Sequence, residues 1–340
     1  MAFADLLQLV EQSQSLSRAQ AKEAISAIMS GRLAEKQIAA FLQALKHKGE
    51  TIDEIAGAAE AMRDASIAVR TKSPIVVDTC GTGGDGRSSF NISTAVAFVV
   101  AGAGYPVAKH GNRSVSSTCG SADVLEEMNI RVEWSPEEAA RCLDEIGIAF
   151  LFAPRFHPAM KNVMPVRKAL GVRTIFNILG PLTNPARPNV QVIGIYDAIW
   201  VKPIAEVISQ LGCRNGYVVH EWGHDEIILA GPTEVAEIID GNVRLTMWSP
   251  ADFGLKPESP ELLKGGDRKT NAGIMQRLLK GEKGHLRNVI CVNAAAAIAA
   301  ASRQAGDPKN LRPAFLAAEE SIDSGKAWSK LVQLQKASHK

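Results

Sequence analysis

Residues 78–94 read Asp-Thr-Cys-Gly-Thr-Gly-Gly-Asp-Gly-Arg-Ser-Ser-Phe-Asn-Ile-Ser-Thr. The apolar run Ile75 to Val77 leads into this stretch, glycines stand at 81, 83, 84 and 86, and a helical pattern opens at Asn91. Strand, glycine-rich loop and helix start together make an anion site. Glycine lets the backbone approach a ligand closely, and the free N–H groups of the helix start add a positive field. Asp85 in the same loop would repel bare phosphate unless it bonds a hydroxyl, holds a metal or turns away, so the loop suits a phosphorylated sugar. The run from Gly81 to Gly86 lacks the Gly-Lys-Ser/Thr ending of a Walker loop and the spacing of a dinucleotide fingerprint. Four glycines in six residues also suit a plain strand-to-helix turn.

Outward from the loop, the pattern changes sharply. Residues 1–70 read as helix after helix: Ser17 with Gln20 and Thr51 with Glu54 have capping-box spacing, and Ile38, Phe41, Leu42 and Leu45 recur at helical intervals before Gly49. Beyond Ile75, short β-rich runs alternate with helical ones. Strands are expected at Ile75–Val77, Val107–Ala108, Ile148–Phe152, Val190–Ile195 and Tyr217–Val219, with helices starting at Asn91, Ser121, Ser135 and Asp197. This predicts a small all-helical domain over 1–70 and a large α/β domain over 73–340 with a mainly parallel central sheet, ligands lying at the carboxyl ends of its strands. The helix-like stretch 157–171, kinked at Pro165, and the Gly/Pro/Asn-punctuated stretch to Pro185 are expected to pack back on the N-terminal helices.

Composition bounds the partners. The 340 residues are 46% hydrophobic and 22% charged, with net charge +2, which gives no electrostatic reason to expect nucleic acid or a membrane surface. Cysteines 80, 119, 142, 213 and 291 lack CxxC spacing, so neither a disulfide framework nor a zinc site is expected, and a reduced cytoplasmic setting fits. The N-terminus carries no signal-peptide pattern, and the apolar run Ala294–Ala301 is too short to span a bilayer.

Two further segments carry chemistry. Lys109-His110-Gly111-Asn112-Arg113 leads through Ser114, Ser116 and Ser117 to Ser121, offering one point charge and many neutral donors to phosphate. Asp225-Glu226 follows a strand, and adjacent carboxylates are hard oxygen ligands of the kind Mg2+ takes beside a phosphorylated substrate; an exposed acidic pair opening a strand or helix is the plain alternative. His220-Glu221-Trp222-Gly223-His224 matches the bare HExxH pattern of zinc proteases. A strand running into His220 and the Trp-Gly pair argue against the helix that such a site needs.

These segments, in this order, resemble the anthranilate phosphoribosyltransferases of tryptophan biosynthesis. The likeness rests on Gly81-Thr82-Gly83-Gly84-Asp85, Asn91 to Thr94, Lys109 to Arg113, Gly120 to Asp123, and the run from His157-Pro158-Ala159-Met160 through Pro165-Val166-Arg167 to Phe176–Pro185, and it extends over essentially the whole chain. It implies a homodimer joined through the helical domain, a nucleoside phosphorylase-like α/β domain, and an active site in the hinge between them. Phosphoribosyl pyrophosphate would be contacted by Gly81, Gly84, Asp85, Ser89, Asn91, Ser93, Thr94, Lys109, His110, Gly111, Asn112, Arg113, Ser114, Val115, Ser116, Ser117 and Ser121. Ser93, Asp225 and Glu226 would hold Mg2+, with two ions when that substrate is bound. Asn112 and Arg167 would bind anthranilate, with Gly81, His110 and Pro154 along its route. A guanidinium fork at Arg167 also suits a carboxylate on chemical grounds.

The resemblance further implies an oxocarbenium-like displacement without a covalent enzyme intermediate, with Lys109, His110 and Arg167 as the catalytic set and His110 as acceptor of the amine's proton. Glu221, His224 and Cys119 depart from the usual family pattern, the first two placing an extra carboxylate and imidazole near the metal pair. A pyrimidine-nucleoside phosphorylase shares the expected fold, and a noncatalytic nucleic-acid-binding relative would need a basic surface.

Overall fold

The computed structural model describes residues 1–83, 87, 89–114, 118–304, 306 and 310–339. Four helices open the chain: α1 (Phe3–Glu11), α2 (Arg18–Met29), α3 (Glu35–Lys48) and α4 (Ile52–Asp64). The capping boxes form as the sequence predicts. Ser17 Oγ and Thr51 Oγ1 accept the N–H groups of Gln20 and Glu54, and the Gln20 and Glu54 side chains accept the N–H groups of Ser17 and Thr51. Gly49 ends α3 at φ +85°, where a side chain would be strained.

The remainder builds on β1 (Val77–Gly81), β2 (Val107–Gly111), β3 (Ile148–Phe152), β4 (Val190–Gly194), β5 (Asn215–His220), β6 (Thr233–Ile239) and β7 (Asn242–Trp248). They form one sheet in the order β3-β2-β1-β4-β5-β6-β7, parallel from β3 to β5 and antiparallel at β6 and β7. Between them run α5 (Ile92–Gly102), α6 (Ser121–Glu127), α7 (Pro136–Glu145), α8 (Ala153–Phe156), α9 (Met164–Leu170), α10 (Phe176–Leu179) and α11 (Val201–Gln210). The chain closes with α12 (Arg268–Leu279), α13 (His285–Gln304), α14 (Leu311–Asp323) and α15 (Lys326–Ala337). Among the described residues no helix is long and apolar enough to cross a membrane.

Two apolar cores flank the sheet. One packs α5, α13, α14 and α15 against one face, the alanines of α13 allowing close approach. The other joins α1–α4 to α11, to residues 163–182 and, through Cys80, Ile193 and Val218, to the opposite face. The strand order reverses direction at β1: the chain first adds β2 and β3 on one side, then returns to add β4 on the other. Such a reversal opens a crevice at the carboxyl ends of the two strands that flank it, here β1 and β4.

Two local expectations change. β1 starts at Val77 and runs on to Gly81, because each of its residues pairs with one of β4, the last pair being Gly81 with Gly194. Pro165 stands in the first turn of α9, where its missing N–H would have had no acceptor, so it starts that helix rather than kinking a longer one.

Candidate active site

The crevice floor is shaped by an absence of side chains. A Cβ added to Gly81 would lie 2.2 Å from Asp225 Oδ2, and one added to Gly194 would lie 1.5 Å from the Asp225 carbonyl oxygen. Asp225 thus lies across the ends of β1 and β4, and its Oδ2 accepts the Gly83 N–H at 2.7 Å. Ser93, in the first turn of α5, lines a small cavity together with Glu226, Thr79 and Asn293, and its carbonyl accepts the Thr79 hydroxyl. Gly84 and Asp85 lie outside the described residues.

Asn91 stands just before α5, and its side-chain amide is used outside the helix: Nδ2 donates to the Cys119 carbonyl and Oδ1 accepts from Asn271, each at 3.0 Å. Asn271 Oδ1 also accepts the Gly266 N–H, Ser89 pairs with Lys264, and Thr118 donates to the Gly266 carbonyl. Residues 263–271 therefore back both donor-rich loops. Nothing in the sequence pointed to them, since Asn271 belongs to a helix 180 positions away.

The second loop is tied to the start of α6. Gly111 closes β2 where a Cβ would meet Ser121 Oγ at 2.2 Å; Ser121 Oγ donates to the Asn112 carbonyl and accepts the Asn112 N–H. The Asp123 carboxylate accepts from Ser114 and Gly120 N–H, and Arg113 pairs with Glu126 while lying over the Phe152 ring. Val115, Ser116 and Ser117 lie outside the described residues. Lys109 is buried on the far side of the sheet beside Thr94, Phe98 and Phe150, its ammonium donating to the His110 carbonyl at 3.4 Å.

Next to this loop opens a cavity of about 440 Å³, within the range of small-molecule sites. Its walls include His110, Asn112, Pro154, His157 and Arg167, with Met62, Met160 and Phe176 supplying apolar surface. Arg167 projects from α9 with its guanidinium 5.6 Å from the Phe176 ring centre. His110 Nδ1 donates to the Gly180 carbonyl at 3.2 Å, which leaves the lone pair on Nε2, and Nε2 makes no hydrogen bond among the described residues. Burial, and next the neighbouring His157, hold the His110 pKa well below the ordinary imidazole value; burial brings His157 to about 4. Both rings are neutral at pH 7. His157 and Phe176 stand inside the motif run, while Met62 comes from the helical bundle without a sequence signal.

Glu221 does not face the metal pair. Its buried carboxylate accepts the N–H groups of Ile228, Ala230 and Gly231 and the Thr233 hydroxyl, at 2.6 to 3.0 Å, and so shapes the chain leading into β6. The HExxH pattern is a turn rather than a helix: Glu221 and His224 bond each other's backbones, Trp222 and Gly223 both have positive φ, and His220 Nδ1 donates to the Ile195 carbonyl. The Trp222 carbonyl accepts from Arg87, joining this turn to the glycine-rich loop.

Known proteins share this arrangement from end to end. Residues 4–66 match the helical bundle domain of the glycosyl transferase family and residues 73–328 its a/b domain. An anthranilate phosphoribosyltransferase of Symbiobacterium thermophilum is 48% identical over 98% of this chain and 97% of its own length. The crystal structure of the Thermus thermophilus anthranilate phosphoribosyltransferase superposes with a TM-score of 0.93 at 40% identity, covering 99% of this chain and 100% of that one. The Saccharomyces cerevisiae enzyme is 27% identical in a complex with PRPP and Mg, with a TM-score of 0.88 over 99% of this chain and 98% of that one. Its complex with 4-fluoroanthranilate gives 0.87 at 26% identity, over 99% of both chains. With this likeness running through both domains and the crevice between them, the chain belongs to the anthranilate phosphoribosyltransferase family.

Proposed function

We propose that this chain transfers the phosphoribosyl group of phosphoribosyl pyrophosphate to the amine of anthranilate, giving N-(5-phosphoribosyl)anthranilate and pyrophosphate. The observation that carries the reading is a juxtaposition. The ends of β1 and β4, with Asp225 lying across them, stand one strand from the end of β2, whose His110 and Asn112 wall a largely apolar cavity that also holds the Arg167 guanidinium. The first suits a charged sugar phosphate and the second an aromatic acid.

In this reading Gly81, Gly84, Asp85, Ser89, Asn91, Ser93, Thr94 and the segment Lys109 to Ser117 with Ser121 take up phosphoribosyl pyrophosphate. Lys109 acts at a distance: its ammonium donates to the His110 carbonyl, and its charge is shared with the buried Asp78 carboxylate. The donor set of Ser93, Asp225 and Glu226 is all hard oxygen, as Mg2+ requires, and two of the three line one cavity. Bound there, Mg2+ would neutralise charge on the departing pyrophosphate. Arg167 clamps the anthranilate carboxylate and Asn112 helps to orient the ring, so that the amine meets the anomeric carbon in line. That amine is already neutral, and His110 Nε2 takes its proton after attack. Pro154 and Gly81 border the route in. The helical unit of residues 1–70, joined by 157–185, would form the dimer contact opposite the 73–340 domain, and the enzyme would work in the cytoplasm.

Anthranilate is fluorescent, so the test mixes it with phosphoribosyl pyrophosphate, Mg2+ and protein and follows loss of emission. Consumption with release of pyrophosphate is expected. A folded, metal-loaded protein that consumes no anthranilate, or that instead cleaves pyrimidine nucleosides with phosphate, would overturn the reading.

A further inference from the structure

Asp78 is completely buried on β1, and neither half of the crevice accounts for it. A carboxylate taken out of water needs partners, and their identity shows what it holds. Its Oδ1 accepts the His110 N–H at 3.4 Å and the Cys80 thiol approaches Oδ2 at 3.6 Å; burial raises its pKa, and the Lys109 ammonium and then the Asn184 amide oppose the rise. Asn184, equally buried, donates from Nδ2 to the Ala108 carbonyl at 2.8 Å and accepts the Ala186 N–H at Oδ1. Just before Asn184, the Thr183 hydroxyl donates to the Gly180 carbonyl, the same oxygen that accepts from His110 Nδ1. These bonds form a closed circuit. It runs from the His110 ring to Gly180, through Thr183 and Asn184 to the Ala108 carbonyl, and along β2 back to His110, whose N–H Asp78 holds.

We propose that Asp78 and Asn184 are positioning residues for His110, fixing the separation between the end of β2 and Gly180 so that the imidazole keeps its proton on Nδ1 and its lone pair on Nε2. The inference rests on the role given to His110 above. Neither residue reaches the cavity wall, so both act through the ring they hold. An amide at position 78 keeps one acceptor oxygen in place of two and removes the charge beside Lys109, so the contacts to His110 and Cys80 would have to reorganise. Loss of an outer partner that orients a working imidazole costs about 10- to 100-fold where such partners hold metal-binding histidines.

The test compares wild type, Asp78→Asn, Asn184→Ala and the double variant by steady-state kinetics, and reads the His110 tautomer from 15N-histidine NMR. Expected are a ~10- to 100-fold fall in kcat/KM for anthranilate in each single variant and a double variant no worse than the poorer single. The KM for phosphoribosyl pyrophosphate should stay within about twofold, and the His110 signal should pass from one tautomer to a mixture. A folded Asp78→Asn protein with the wild-type tautomer would overturn the inference, as would effects that multiply in the double variant. If Asp78→Asn fails to fold, Asn184→Ala decides by the same two readouts. A His110→Ala variant with unchanged kinetics would remove the proton-acceptor role, and the tautomer shift in Asp78→Asn would still decide whether the circuit holds the ring.

Discussion

Gly194 and Asp225 are in contact so close that no side chain fits between them: a Cβ at position 194 would stand 1.5 Å from the Asp225 carbonyl oxygen. The acidic pair owes its place over the crevice to that missing atom and to its counterpart at Gly81, paired with Gly194 across the two strands.

Gly194→Ala must therefore push the Asp225 backbone outward. Turnover should fall by ~100-fold, as for ångström-scale misplacement of a reacting constellation, with a stability loss of about 1–3 kcal/mol from overpacking. Magnesium dependence of the rate, measured beside a urea unfolding curve, separates the two effects. Wild-type turnover in the variant would refute the contact.

Arg167 projects into the cavity from α9, where partial burial lowers its pKa from the ordinary guanidinium value without removing its charge. Arg167→Ala should raise the KM for anthranilate by ~10- to 100-fold, the worth of a hydrogen bond to a charged group. The KM for phosphoribosyl pyrophosphate should hardly move. An unchanged anthranilate KM would remove the carboxylate clamp.

Glu221→Gln tests whether the departure from the family pattern bears on the metal. Four donors converge on the carboxylate, and an amide puts an NH2 group among them, so stability should fall by about 1–3 kcal/mol. The Mg2+ concentration for half-maximal rate should match wild type. A large change in that concentration without loss of stability would show that Glu221 serves the metal after all.

The two histidines set an acid limit. The His157 pKa is lowered to about 4 by burial, and burial likewise holds His110 well below the ordinary imidazole value. Between the ordinary imidazole pKa and about 4 the unfolded chain binds the proton and the folded one does not, so stability rises with pH across this window. Their contribution is complete above about pH 6.5, the reference imidazole value, and is lost as pH falls toward 4, with His157 alone accounting for ~3 kcal/mol. Urea midpoints from pH 7 to 4 for wild type and His157→Asn check this. A parallel decline in both would assign the effect elsewhere.

The sequence made legible whatever local chemistry specifies. Ser17 and Thr51 cap helices because their hydroxyls compete for the first free N–H groups wherever they stand before a helical run. The glycine-rich loop and Arg167 could be read because their residue types are unusual in those settings. Asp78 and Asn184 were passed over as site residues, although one interrupts an apolar strand and the other stands within a quoted motif. Their meaning lies in a partner about a hundred residues away, and only the fold supplies that. Glu221 shows the converse: an acid directly after β5 was expected to bear on the nearby metal pair, but its oxygens point to the chain leading into β6.

The reversal of strand order at β1 also has a bearing on time. β1 must wait for β4, whose Val190 pairs with Val77 only after two strands, six helices and the intervening turns have left the ribosome. Contacts between such distant segments are slow to form, because loop closure must precede any gain from pairing. The helical bundle is complete by Asp64 and can collapse early. During refolding, helical signal should therefore return well before catalytic turnover, and the crevice between β1 and β4 should be the last part of the enzyme to mature.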